Sequence, residues 1–133
     1  MYQYKAVVTN VVDGDTFDMD IDLGFHIHIH ERVRLLDADT PEKFSAEKEL
    51  GLIVKAFAEC NLLNREVIIE SEKADVASKT DSFGRWLVRV LIDGERDLCK
   101  IYNFLGINKR HHTYSEENVL KLGNFNAPLV SKE

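Results

Sequence analysis

Between residues 4 and 35 apolar and polar side chains change places almost strictly, which is the period of two that half-buried β-strands require. Ala6, Val8 and the Val11–Val12 pair lead into the turn dipeptide Asp13-Gly14. Beyond it Phe17, Met19, Ile21 and Leu23 alternate with Asp18, Asp20 and Asp22. Gly24-Phe25 breaks the run, after which Ile27, Ile29, Val33 and Leu35 alternate with His26, His28 and His30. The pattern predicts three strands, the last two forming a hairpin with one apolar and one polar face. Glu31 stands where an apolar residue is due, and predicts a bulge or bend there.

The period then lengthens. Leu50, Ile53, Val54 and Phe57, continuing to Leu62 or Leu63, form the stripe of an amphipathic helix that Ser45 can cap. Val67–Ile69 and Trp86–Ile92 predict two more strands, the second ending at Asp93-Gly94. Asp97 is placed to cap a helix carrying Leu98, Ile101, Tyr102 and Leu105, with Gly106 as its stop. A short helix from Ser115 through Leu122 ends at Gly123. Five short strands with a helix between the third and the fourth is the arrangement of an OB-type barrel. The expected class is therefore α+β, a five-stranded Greek-key barrel with two or three helices. No repeat, low-complexity run or linker divides the 133 residues. A single domain is expected over 1–133, with its core at about 4–123 and a loose tail at 124–133.

Composition narrows the class. Apolar residues make up 44% and charged residues 30%, so the chain can bury an ordinary core and is not a disordered segment. No apolar stretch approaches the roughly 20 residues that cross a bilayer. The N-terminus enters a strand-like pattern without a charged region followed by an apolar one, and a cytoplasmic location is expected. Cys60 and Cys99 fall on or beside helical stripes, which favours buried free thiols over a disulfide. The net charge of −6 opposes general coating of a polyanion. It leaves room for an enzyme that meets a few phosphates through a local positive patch.

Candidate chemistry gathers in three strings: Asp13-Gly14-Asp15-Thr16, Arg34 through Glu42, and Asp81-Ser82-Phe83-Gly84-Arg85. Asp15 follows a turn glycine and Asp39 ends the third strand, so a meander can bring both to one rim. Two carboxylates brought together need a cation between them, and ligation by oxygen alone favours Ca²⁺ or Mg²⁺ over zinc. The Thr40 carbonyl, beside Asp39 and fixed by Pro41, is a third candidate oxygen. Arg34 emerges on the polar side of its strand near the same rim, because Val33 and Leu35 point the other way. Glu42 lies just past the rigid Thr40-Pro41 step. Arg85 starts a strand, and a guanidinium fork suits a phosphate better than an ammonium does. This inventory fits phosphodiester cleavage: a hard cation polarises the phosphate, cations neutralise developing charge and a base activates water. The plain alternatives are a tight turn with a solvated acid, and surface ion pairs for the arginines.

The same strings, with Gly51 in the first helix and Asp93-Gly94 after the fifth strand, resemble the staphylococcal nuclease-like (thermonuclease) family over residues 6 to about 106. The resemblance implies Ca²⁺-dependent hydrolysis of DNA and RNA with little sequence specificity, leaving 3′-phosphate ends. It implies that Asp15, Asp39 and the Thr40 carbonyl hold the metal, with Mg²⁺ as a non-activating occupant. Arg34 and Arg85 would grip the phosphate and its transition state, and Glu42 would orient or deprotonate water. Phe83 and Tyr114 would contact substrate. A monomer without an obligate protein partner and without a membrane role is expected.

Some features depart from that pattern. The ladder His26, His28 and His30 faces Asp18, Asp20 and Asp22, which reads as cross-strand pairing on a solvated face more readily than as a zinc site. Phe83 stands where the family often has tyrosine. Trp86 reads as barrel filling more readily than as a cover for the site. Lys109-Arg110-His111-His112 with Tyr114 is the compact basic and aromatic cluster of the chain, and either flanks a nucleic-acid groove or is a solvated loop. Two other functions compete: a non-catalytic nucleic-acid or protein-binding barrel, and an aspartyl-phosphate phosphatase using Asp13-x-Asp15. The latter needs a doubly wound parallel sheet, which the hairpin alternation opposes.

Overall fold

The computed structural model describes residues 2–43, 46–71 and 86–124. Among these residues six strands and three helices follow in the order β1 (Tyr2–Asp13), β2 (Thr16–Asp22), β3 (His28–Leu35), α1 (Lys48–Leu62), β4 (Glu66–Ser71), β5 (Trp86–Ile92), β6 (Arg96–Asp97), α2 (Leu98–Leu105) and α3 (Glu116–Gly123). The sheet runs β3-β2-β1-β4-β5-β6, and a parallel contact of β3 with β5 closes the first five strands into a barrel. The other pairings among the described residues are antiparallel. This is the α+β OB-type barrel expected from the sequence. The mainly antiparallel barrel excludes the phosphatase reading, which a doubly wound parallel sheet would have required. No described helix is long and apolar enough to cross a membrane.

Alternation builds the barrel interior. Phe17 and Met19 on β2, Val33 and Leu35 on β3, Ile69 on β4, and Val88 and Val90 on β5 are all buried. Each such side chain contributes roughly 1.5–3 kcal/mol by leaving water. Helix α1 packs on β1 and α3, and α2 lies against β5. Asp97 caps α2 by accepting from the Cys99 N–H at 2.9 Å. Gly106 stops that helix in the left-handed region at φ 74°, which a side chain would oppose. Ser115 caps α3 in the same manner, accepting from Asn118 N. Helix α1 starts at Lys48 with Glu47 at its N-cap position. Ser45, the expected cap, lies outside the described residues, as does the tail from residue 125.

Three expectations are corrected. The β2–β3 register runs unbroken from Asp22↔His28 to Thr16↔Arg34, so Glu31 makes no bulge. Glu31 is tolerated opposite Met19 because β3 touches β5 only at Val33–Leu35, leaving its earlier residues beside an opening lined by Ile21, Ile29, Glu31 and Trp86. The irregularities lie instead in β1, between Val8 and Asn10 and between Val11 and Asp13. Cys60 is a free but exposed thiol, since it falls two residues past the buried Ala58 and so on the other side of α1. Cys99 is free and half-buried, and burial pushes its thiol pKa up. Leu23 is exposed because β2 ends at Asp22 and the chain turns at Gly24. Trp86 is half-buried and packs against the core at the barrel opening.

The outer face of the hairpin holds cross-strand polar pairs. Arg32 Nε and Nη2 donate to Asp18 at 2.7 and 3.2 Å, and His28 Nδ1 lies 3.0 Å from Asp20 Oδ1. The Arg32 hydrogen bonds hold the Asp18 carboxyl below its ordinary value of 3.8. A lowered carboxyl contributes stability above pH 3.8 and loses it as pH falls through the folded-state value. A double-mutant cycle of Asp18→Asn and Arg32→Gln at pH 7 is expected to give a coupling of about 0.5 kcal/mol, which is typical of a largely exposed pair. The coupling should vanish well below pH 3.8. Coupling that grows on acidification contradicts the assignment.

Candidate active site

The site is built on two turns and one strap. Gly14-Asp15 is the two-residue link between β1 and β2, where Asp13 pairs with Thr16. Gly14 is required for space: a Cβ there would overlap Val54 Cγ1 of α1 and sit 2.9 Å from Thr40 Oγ1. The Gly14 carbonyl accepts the Tyr102 hydroxyl at 2.6 Å, and the Asp15 carbonyl accepts Leu35 N–H at 2.9 Å. These bonds tie the turn to α2 and to the end of β3. Tyr102 is fully buried, and that burial, then the Asp15 charge, drives its phenol pKa far up, so the phenol remains a donor. Tyr102→Phe strands a buried carbonyl and is expected to cost about 1–3 kcal/mol in urea unfolding. An unchanged midpoint would remove this bond from the account of the turn.

Asp15 is buried and its carboxylate is well supplied. Thr16 Oγ1 donates to Oδ1 at 2.9 Å, Thr40 N–H donates to Oδ2 at 3.0 Å, and Arg34 Nη2 lies 3.4 Å from Oδ2. The same Arg34 nitrogen donates to Asp39 Oδ1 at 3.2 Å. One nitrogen therefore bridges the two carboxylates, and the guanidinium does not grip either acid as a fork. Side-chain exposure rises from 6% at Asp15 through 18% at Arg34 to 35% at Asp39, so the group opens to solvent on the Asp39 side. Two buried oxygens beside it, Thr40 Oγ1 and Asp13 Oδ1, have no hydrogen-bond partner among the described residues. Burial raises the Asp13 carboxyl above its ordinary value, against a hydrogen bond from the Lys43 backbone; the Asp15 charge adds to the rise.

The 37–39 strap is held from the C-terminal side by Asn108. Its Oδ1 accepts Asp39 N–H and Arg110 N–H, both at 3.0 Å. Its Nδ2 donates to the Asp37 carbonyl at 3.0 Å and to Asn103 Oδ1 at 2.8 Å. Asp37 itself is in the left-handed region at φ 61°. Lys109 N–H donates to the Asp39 carbonyl at 2.7 Å, and Lys109 Nζ pairs with Glu47 at 2.7 Å. That hydrogen bond to Glu47 raises the Lys109 pKa, with Asp39 adding to it. Glu42 is exposed on the segment that crosses α1 at Gly51, where a Cβ would strike the Glu42 and Lys43 backbone.

The structure thus brings together Asp15, Asp39, Thr40 and Arg34, the residues that the sequence pattern singles out. Glu42 lies on the adjoining segment. Arg85 and Phe83 lie outside the described residues. Tyr114 is half-buried against the core, and burial, then the Glu47 charge, pushes its phenol pKa up. The basic cluster divides: Lys109 turns to Glu47, while Arg110 and His111 line a separate cleft. Tyr102, Asn108 and the Lys109–Glu47 pair escaped sequence reasoning. Tyr102 reads there as one more apolar stripe residue, and a lone Asn past a helix stop carries no pattern at all.

Among the described residues no three His, Cys, Asp or Glu side chains group as a metal cluster. Asp15 and Asp39 are two carboxylates, and a cation there would draw its remaining ligands from neutral oxygen such as Thr40. A donor set of oxygen alone, with unpartnered buried oxygens beside it, fits a hard divalent cation. No family model and no curated protein matches this chain.

Proposed function

We propose that the protein is a staphylococcal nuclease-like, Ca²⁺-dependent nuclease that hydrolyses phosphodiester bonds of DNA and RNA and leaves 3′-phosphate ends. The observation that carries this reading is the bridge of Arg34 across Asp15 and Asp39, at 3.4 and 3.2 Å, on a rim open to solvent. Two acids from distant turns and a guanidinium at one point form the minimum for such chemistry. Asp15, Asp39 and Thr40 would hold Ca²⁺, which supplies Lewis acidity toward a phosphoryl oxygen when bound. Arg34 then orients the phosphate and neutralises charge that develops on it, acting in a partly dehydrated pocket where such interactions are strongest. Arg85 would supply a second guanidinium, and Glu42 would position water or accept its proton.

A specific feature favours a second reading. Arg34 already neutralises both acids, as a structural ion pair would in a barrel that binds nucleic acid or protein without cutting it. Incubation with plasmid decides between the two. Cleavage is expected with Ca²⁺, its loss with a chelator, and 3′-phosphate termini on the products. Intact plasmid under every cation tested assigns the protein to the binding class.

A further inference from the structure

A second cleft, of about 570 Å³, adjoins the strap on which Asp39 sits. Arg89 of β5, Lys100 of α2, and Arg110 and His111 beyond Asn108 line it, with Asp37 and Asp97. Three permanent cations thus share one concavity in a chain whose net charge is −6. None of the three forms an ion pair with a described residue. Asp97 is occupied in capping α2, accepting from the Cys99 N–H. The Cys99 thiol on the cleft wall feels the charges of Asp97 and Asp37 and, more weakly, those of Arg89 and Arg110. The Asn103 and Asn108 side chains complete the wall as amide groups.

The cleft and the candidate active site are joined through Asn108, whose side chain lines the first and holds Asp39 of the second. Consecutive residues serve the two: Lys109 pairs with Glu47 and has its backbone on Asp39, whereas Arg110 enters the cleft. A polyanion seated at Asp39 and running past residues 108–110 would meet these cations next. Three cations against the two carboxylates Asp37 and Asp97 leave the cleft with a positive excess, which draws a bound anion. Two guanidiniums and an ammonium suit phosphate oxygens spaced along a strand.

We propose that this cleft binds backbone phosphates of a single-stranded nucleic acid at positions beyond the scissile one, extending the site into a track. The inference rests on the nuclease reading for its direction, but the cleft can be tested apart from it. Binding of a labelled DNA strand of about 12 nucleotides is followed by anisotropy in EDTA, from about 50 to 200 mM salt. The parent is compared with K100E/R110E, which changes two exposed side chains, and with the triple variant that adds Arg89→Gln. Both variants are expected to bind at least tenfold more weakly. The slope of log affinity against log salt should flatten by about 0.7 for each phosphate that the variant no longer neutralises.

Cleavage of a dinucleotide, too short to reach the cleft, should proceed at the parent rate in both variants. Parental affinity and slope in K100E/R110E would overturn the track while leaving the nuclease reading intact. Equal loss on the dinucleotide would also overturn it, since the cations would then be acting at Asp39. A parent that cuts nothing, but whose DNA binding needs these cations, would end the nuclease reading and uphold the cleft.

Discussion

Arg34→Ala is expected to lower phosphodiester cleavage by about 100- to 1,000-fold, the scale of losing one preorganised donor to developing negative charge. The substitution also removes the cation that sits between Asp15 and Asp39. Asp15 is buried, so its carboxylate is left facing a second one with only Thr16 and Thr40 as donors. Breaking a fully buried pair costs about 3–5 kcal/mol, and the partial exposure of Asp39 reduces this to about 2 kcal/mol. A guanidinium and a calcium ion would neutralise the same oxygens. Ca²⁺ should therefore raise the Tm of Arg34→Ala by more than it raises that of the parent, because a ligand that binds the folded form more tightly stabilises it more. Thermal melts with Ca²⁺ and with chelator measure this. Equal shifts in the two proteins would separate the ion from these carboxylates.

Gly51→Ala is expected to destabilise the protein by about 3 kcal/mol, against the usual gain of up to 1 kcal/mol for alanine in a helix interior. The sign reverses because of what faces the helix. Gly51 is buried in α1, and a Cβ built on it would overlap the carbonyl carbon of Glu42 and the nitrogen of Lys43. Both are backbone atoms, so no rotamer can make room and the segment must move. That segment follows Thr40, whose N–H is bonded to Asp15, and carries Glu42. Activity should fall further than the loss of folded protein explains. Chemical denaturation with a parallel activity assay on the folded fraction checks both effects. A neutral or stabilising alanine would show that α1 does not press on the site segment.

Five of the described strands and the three helices are readable from the chain because they carry a buried face, whereas the two-residue β6 has none and escapes it. The interruption at Gly24, the caps Asp97 and Ser115 and the stop at Gly106 marked the element ends by turn and capping chemistry that acts locally. Glu31 misled because its phase looked internal, whereas the closing contact of β3 with β5 spans only Val33–Leu35. Local pattern cannot say how far along a strand a barrel stays closed. Cys60 misled for a related reason: helical phase places a residue beside a stripe, but only the packed neighbours fix where the stripe stops.

The sequence by itself determined the barrel order, and it put Asp15, Arg34, Asp39, Thr40 and Glu42 on turns and strand ends, because alternation, glycine turns and caps are encoded over a few residues. Only the tertiary structure decided that Arg34 bridges Asp15 and Asp39, that Asn108 carries the strap from 69 residues away, and that Arg89, Lys100 and Arg110 share one cleft. Those interactions join positions far apart in the chain. Hydrogen bonds and charge pairs between such positions leave no period in the sequence, and exist only once the core has brought their elements together.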